Sequence, residues 1–232
     1  MPAARRVIPL FALATAACGG RGTPELAVVP ATTGIVYLPD DYDARHKYPV
    51  VVMLPASNGT ADAMHRSYPD VGDAIVLVAS GTGTTADYAT NAAWSETIRR
   101  YETQLRHDVN ALIQAGRADA DRVVLAGFSM GGDLAWALAV RNPELIHGSV
   151  IMGSRMSYRA TAREHDALRR HHRFAILMGT EEDRGRMAGA RAGKDFLESL
   201  DVPVRFREVH DIGHLRMPPD DFKDALEFVL DR

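Results

Sequence analysis

The chain carries Gly127-Phe128-Ser129-Met130-Gly131, with Gly132 directly after. A serine in such a setting suits covalent nucleophilic catalysis: its oxygen attacks an acyl carbon and holds the acyl group until water removes it. The flanks decide whether five residues amount to more than coincidence. Val123 to Ala126 is an apolar, β-favouring run, and Asp133 to Ala139 reads as an alanine-rich helix. Strand, sharp turn and helix are the setting of a nucleophile elbow. Glycine at 127 and 131 lets strand and helix approach closely. The helix start aims unpaired N–H groups and its positive dipole end at the hydroxyl. The N–H of Met130 is therefore the expected first donor to an oxyanion.

A serine hydroxyl needs a base to take its proton and a third group to orient that base. In chains organised on such an elbow the partners follow in the order acid, then histidine. Glu181, Glu182 and Asp183 come just past the apolar run Phe174–Met178, and His210 and His214 just past Val202–Val209. His214 is the expected base, because Gly213 frees its loop to project the ring, whereas His210 sits nearer the strand end. Asp183 is the expected acid, being a short carboxylate and the only aspartate of its loop; Glu182, three residues after Gly179, is the alternative. The second oxyanion donor is expected from the loop after Tyr48–Leu54, at the N–H of Ser57. Ser57 itself lacks an elbow and is no competing nucleophile. His165, His171 and His172 lie with Glu164 and Asp166 in an arginine-rich connection without helical ligand spacing, so no metal site is expected there. Trp136 and Trp94 read as packing residues, with Trp94 at a loop–helix junction near the pocket loops.

These residues need elements to hold them. Gly34–Pro39 alternates and ends at proline, as an outer strand does. Tyr48–Leu54, Ala74–Ala79, Val123–Phe128, Ser149–Met152 and Phe174–Met178 are short apolar runs, as expected of strands covered on both faces. Val202–Val209 alternates as a further strand. Between them, Ile98, Tyr101, Leu105, Val109, Leu112 and Ile113 recur at three and four, marking one buried stripe on a helix from Trp94 to Ala115. Further helices are expected over Ala162–Arg170, Ala188–Leu200 and Asp220–Leu230. Strands alternating with helices predict an α/β fold, a mainly parallel sheet with helices on both faces and active loops at the carboxyl ends of the strands. The longest insertion, Gly153 to His172, leaves no room for a separate lid domain.

Composition sets the remaining bounds. The 232 residues suit one domain with a sizeable core, and a formal charge of −3 offers no basic surplus for nucleic acid. Residues 1–17 carry Arg5 and Arg6 and then an apolar stretch free of acids, the layout of an export signal too short to span a bilayer. Cys18, the single cysteine, follows Ala16-Ala17 and precedes Gly19-Gly20. This resembles a bacterial lipoprotein signal, so lipid on Cys18 is the only expected link to a membrane. Residues 18–30 are expected to form a flexible tether to a catalytic domain over 31–232. An exported protein follows, periplasmic or at the cell surface.

The Gly-Phe-Ser-Met-Gly-Gly elbow, Asp121-Arg122-Val123 before it and Asp108-Val109 on the long helix resemble the α/β-hydrolase superfamily. Within it they are most similar to secreted esterases of the polyhydroxybutyrate depolymerase and feruloyl esterase group. That group usually has His-Gly where this chain has Pro55-Ala56, a feature it shares with polyester-degrading and cutinase-like relatives. The resemblance implies hydrolysis of small or polymeric carboxylic esters by an acyl-serine route without a cofactor. A serine peptidase, or a non-catalytic binding protein of the same fold, are the competing readings.

Overall fold

The computed structural model describes residues 31–168 and 172–230. The expected export signal with Cys18 and the expected tether lie outside the described residues, as does His171. Among the described residues seven strands form one sheet: β1 (Ile35–Tyr37), β2 (Tyr48–Met53), β3 (Ile75–Val78), β4 (Ala118–Phe128), β5 (Gly148–Met152), β6 (Arg173–Gly179) and β7 (Val204–Val209). Their spatial order is β1-β3-β2-β4-β5-β6-β7. Only β1 runs antiparallel, at the edge against β3; all the other pairings are parallel. The apolar runs explain why: Val50–Leu54, Val123–Ala126 and Phe174–Met178 are almost wholly removed from water, which only a sheet covered on both faces allows.

Among the described residues six helices flank the sheet: α1 (Ala61–Ser67), α2 (Asn91–Gln114), α3 (Met130–Arg141), α4 (Ala162–Leu168), α5 (Arg184–Ser199) and α6 (Pro219–Leu230). The buried stripe of α2 is the one its periodicity predicts, from Ile98 through Tyr101, Leu105 and Val109 to Leu112. Its start lies three residues before the expected Trp94, where the Thr90 side chain accepts the N–H of Ala93 at 3.0 Å. Asp108 on α2 is buried and accepts from Thr33 N–H, Thr33 Oγ1 and Gly34 N–H at 2.7–2.9 Å, which pins the beginning of the domain to that helix. Helix α1 was not expected. It has two turns, one Thr60 cap and few apolar positions, too short a stretch for a periodic signal.

The sheet order reverses direction between β2 and β4, and in open sheets of this kind the crevice at such a switch point is where ligands bind. The loop after β2 and the turn after β4 both open into it. No helix of the described residues is long and apolar enough to cross a membrane.

Candidate active site

Strand β4 ends at Phe128 and α3 begins at Met130, leaving Ser129 alone in the turn. Its backbone stands at φ 56° and ψ −118°, a conformation that costs about 1–3 kcal/mol in a residue with a side chain. Two bonds hold it there: Ser129 N–H donates to Met152 O at 2.9 Å, and Asp133 N–H donates to Ser129 O at 3.0 Å. The glycines are required by contact. A Cβ on Gly127 would lie 2.2 Å from the Gly131 carbonyl, and one on Gly131 would lie 2.8 Å from Leu54 O. Strand, helix and the β2 exit loop therefore meet backbone to backbone around the serine.

Two hydrogen bonds extend from it. Ser129 Oγ lies 2.9 Å from His214 Nε2, and His214 Nδ1 lies 2.7 Å from Glu182 Oε2. With Nδ1–H donating to the carboxylate, Nε2 carries the lone pair that faces the hydroxyl. The Glu182 side chain is 1% exposed and that of His214 33%, so the carboxylate is sealed while the imidazole reaches solvent. Phe128 stacks on the imidazole with ring centroids 4.9 Å apart. The other oxygen of Glu182 is also held, by Asp183 N–H at 3.1 Å and by the Arg186 guanidinium at 3.5 Å.

The structure corrects the expected acid: the carboxylate on His214 is that of Glu182, not Asp183. Asp183 caps α5, accepting from Gly185 N–H at 2.8 Å and Arg186 N–H at 3.0 Å, and pairs with the Arg186 side chain. Its side chain is 51% exposed. The Arg186 N–H and the Arg186 charge hold its carboxyl below the usual range. Helix α5 starts at Arg184 rather than at the expected Ala188, and this is the physical reason. A carboxylate directly before a helix turns to the free N–H groups, which leaves the preceding residue to face inward.

The loop bearing His214 is fastened on two sides. Toward the acid, Glu181 N–H donates to Ile212 O at 2.9 Å and Asp211 N–H to Thr180 Oγ1 at 3.1 Å. A Cβ on Gly179 would lie only 2.0 Å from Ile212 O, so the two loops touch along their backbones. Toward α1, Tyr68 donates its hydroxyl to Met217 O at 2.9 Å while its ring stacks on Phe222. Burial pushes that phenol up to about 12. Tyr68 was not expected from the sequence, because it follows a helix too short to notice.

Ser57 lies in the loop that leaves β2, whose Leu54 and Pro55 carbonyls press on Gly131 in the first turn of α3. Asn58, at φ 56°, donates its N–H to Gly83 O at 2.7 Å, and Gly83 in turn packs against Met130 Cε and Ala56 O. Met130 is fully buried. Among the described residues no group of three or more His, Cys, Asp or Glu side chains is placed to hold a metal ion.

Residues 30–198 match the model of the family described as "Putative esterase". The chain belongs to this esterase family. The matched segment contains Ser129 and Glu182 and ends before His214. No curated protein matches at a significant level. Among solved structures, the chain is similar to a ferulic acid esterase of Anaeromyces mucronatus in complex with ferulic acid, at 15% identity, a TM-score of 0.62 and 84% of each chain covered. It is similar to fluorophosphonate-binding serine hydrolase F of Staphylococcus aureus, at 13% identity, a TM-score of 0.59, and 85% of this chain against 92% of that one. It also shares its fold with dipeptidyl peptidase 4 of Porphyromonas gingivalis, at 15% identity and a TM-score of 0.52, matching 78% of this chain but 30% of that one. The seven-stranded sheet is that of the α/β-hydrolases.

Proposed function

We propose that this esterase cleaves carboxylic esters through an acyl-serine intermediate, with Ser129 as nucleophile, His214 as base and Glu182 as the group that orients His214. The observation that carries the reading is the continuous line Ser129 Oγ, His214 Nε2, His214 Nδ1, Glu182 Oε2, joined at 2.9 and 2.7 Å. His214 takes the serine proton as Ser129 Oγ bonds to the acyl carbon, and the buried charge of Glu182 steadies the imidazolium that results. The carbonyl oxygen becomes an oxyanion held by the N–H groups of Met130 and Ser57. When the C–O bond breaks, His214 returns the proton to the leaving alkoxide. Water then adds to the acyl-enzyme by the same path, releasing the acid and restoring the serine.

A binding protein with this fold would have no use for a serine held at φ 56° against an imidazole that is itself held by a sealed carboxylate. The experiment compares wild type and Ser129→Ala on nitrophenyl acetate and on a dipeptide amide. Ester turnover at least about 10³-fold above the variant is expected, with the amide cleaved far more slowly. Turnover of the ester by Ser129→Ala at the wild-type rate, or an amide cleaved faster than the ester, contradicts the proposal.

A further inference from the structure

Asp133, on the first turn of α3, is not used by the chemistry above, yet its carboxylate is buried at 5% exposure. Tyr88 donates its hydroxyl to Oδ2 at 2.7 Å and Ser154 donates to Oδ1 at 2.8 Å, while the N–H groups of Met156 and Ser157 face the same carboxylate. Burial pushes the carboxyl up, and the bonds from Tyr88 and Ser154 work against that. Every partner can donate to the carboxyl, so the group ties together each segment that reaches it. An apolar side chain would fill this turn without the desolvation cost, so the group calls for a role.

Its two bonded side chains come from two different loops, one before α2 and one after β5. Tyr88 ends the 3-10 turn 85–88 and stacks on Trp94 with centroids 4.6 Å apart. The same loop, at Gly83, lies against Ala56 and Met130, beside the expected oxyanion donors. Ser154 leaves β5 next to Gly153, which packs on Phe128 and stands near Glu182 Oε2. One loop thus borders Met130 and Ala56 and the other borders Glu182, and they meet at one carboxylate a single helical turn from Ser129.

We propose that Asp133 is a positioning residue that clasps both loops, so that Tyr88 and Ser154 fix the spacing of the loops beside the serine turn and with it the fit of bulky esters. The role in specificity rests on the hydrolase reading, whereas the coupling of the loops does not. Tyr88→Phe and Ser154→Ala each remove one hydroxyl and retain bulk, which avoids the folding risk of truncating Asp133. Hydrogen exchange on the full chain is read at 82–90 and 153–157, and kinetics are read on an aromatic feruloyl ester. Each variant speeds exchange in the opposite loop, about tenfold, as expected for loss of a bond to a buried carboxyl group. KM for the feruloyl ester rises by a similar factor, more than kcat falls. Loosening confined to the loop that was mutated, or an unchanged KM, overturns the proposal. Wild type that takes no fluorophosphonate label would instead defeat the hydrolase reading, and the exchange data would still judge the clasp.

Discussion

Replacing Glu182 by glutamine keeps its size but takes away the negative charge against His214 Nδ1, and it invites the wrong tautomer of the imidazole. The expected result is a fall in kcat of about 10³–10⁴-fold with KM little changed. Asp183→Ala is expected to leave kcat within about twofold, because that carboxylate faces the start of α5, and to lower Tm through the lost cap. Steady-state kinetics on both variants check the pair; the reverse pattern would return the acid to Asp183. That the side chains of Ser129 and His214 would meet was legible in the sequence, because glycine at 127 and 131 and at 213 marks the turns that carry them. The choice between adjacent carboxylates was not. It hangs on whether a helix begins at 184 or at 188, and the polar first turn Arg184-Gly185-Arg186 gives no apolar period to show it.

At the scale of elements, the acid loop and the histidine loop behave as one unit because their backbones touch at Gly179 and Ile212. Gly179→Ala places a methyl group 2.0 Å from Ile212 O, so the loops must part. A displacement of about 1 Å at His214 is enough to cost about 10²-fold in kcat/KM, with most of the fold intact. Kinetics with circular dichroism on the purified variant check this; full activity would show that the loops can separate without moving the base. The strands and α2 could be read from their apolar runs and periodicity. Helix α1 could not, although through Tyr68 it supports the far side of the histidine loop. A support that acts by one hydroxyl on one carbonyl, 149 residues away in sequence, leaves no local pattern.

The fold is a mainly parallel sheet whose carboxyl edge carries the loops of Ser129, Glu182 and His214, and alternation of strand and helix along the chain was sufficient to predict it. The bracing between loops was not predictable, since it is built from single polar side chains. Asp87 is the clearest case. It accepts from Thr84 N–H, Thr84 Oγ1, Thr97 Oγ1 and Arg100 at 2.6–3.1 Å. Burial works against its charge, but the bonds from Thr97, Thr84 and Arg100 outweigh it, so the carboxyl is held below its ordinary value. An acid with a lowered native pKa stabilises the fold above its unfolded pKa and loses that contribution as pH falls through the native one. Asp87→Asn is therefore expected to cost about 2 kcal/mol at neutral pH, a difference that shrinks below pH 4. Urea melts of both proteins across that range measure it.

The most direct measurement of the central claim is the mass of the protein during turnover. A slowly deacylating nitrophenyl ester is mixed with wild type and with Ser129→Ala, quenched in acid and mapped by peptide. One acyl group on the peptide containing Ser129, formed with a burst of nitrophenol and absent from the variant, is the predicted result. Turnover without an acyl adduct, or an adduct on any other residue, would contradict the account.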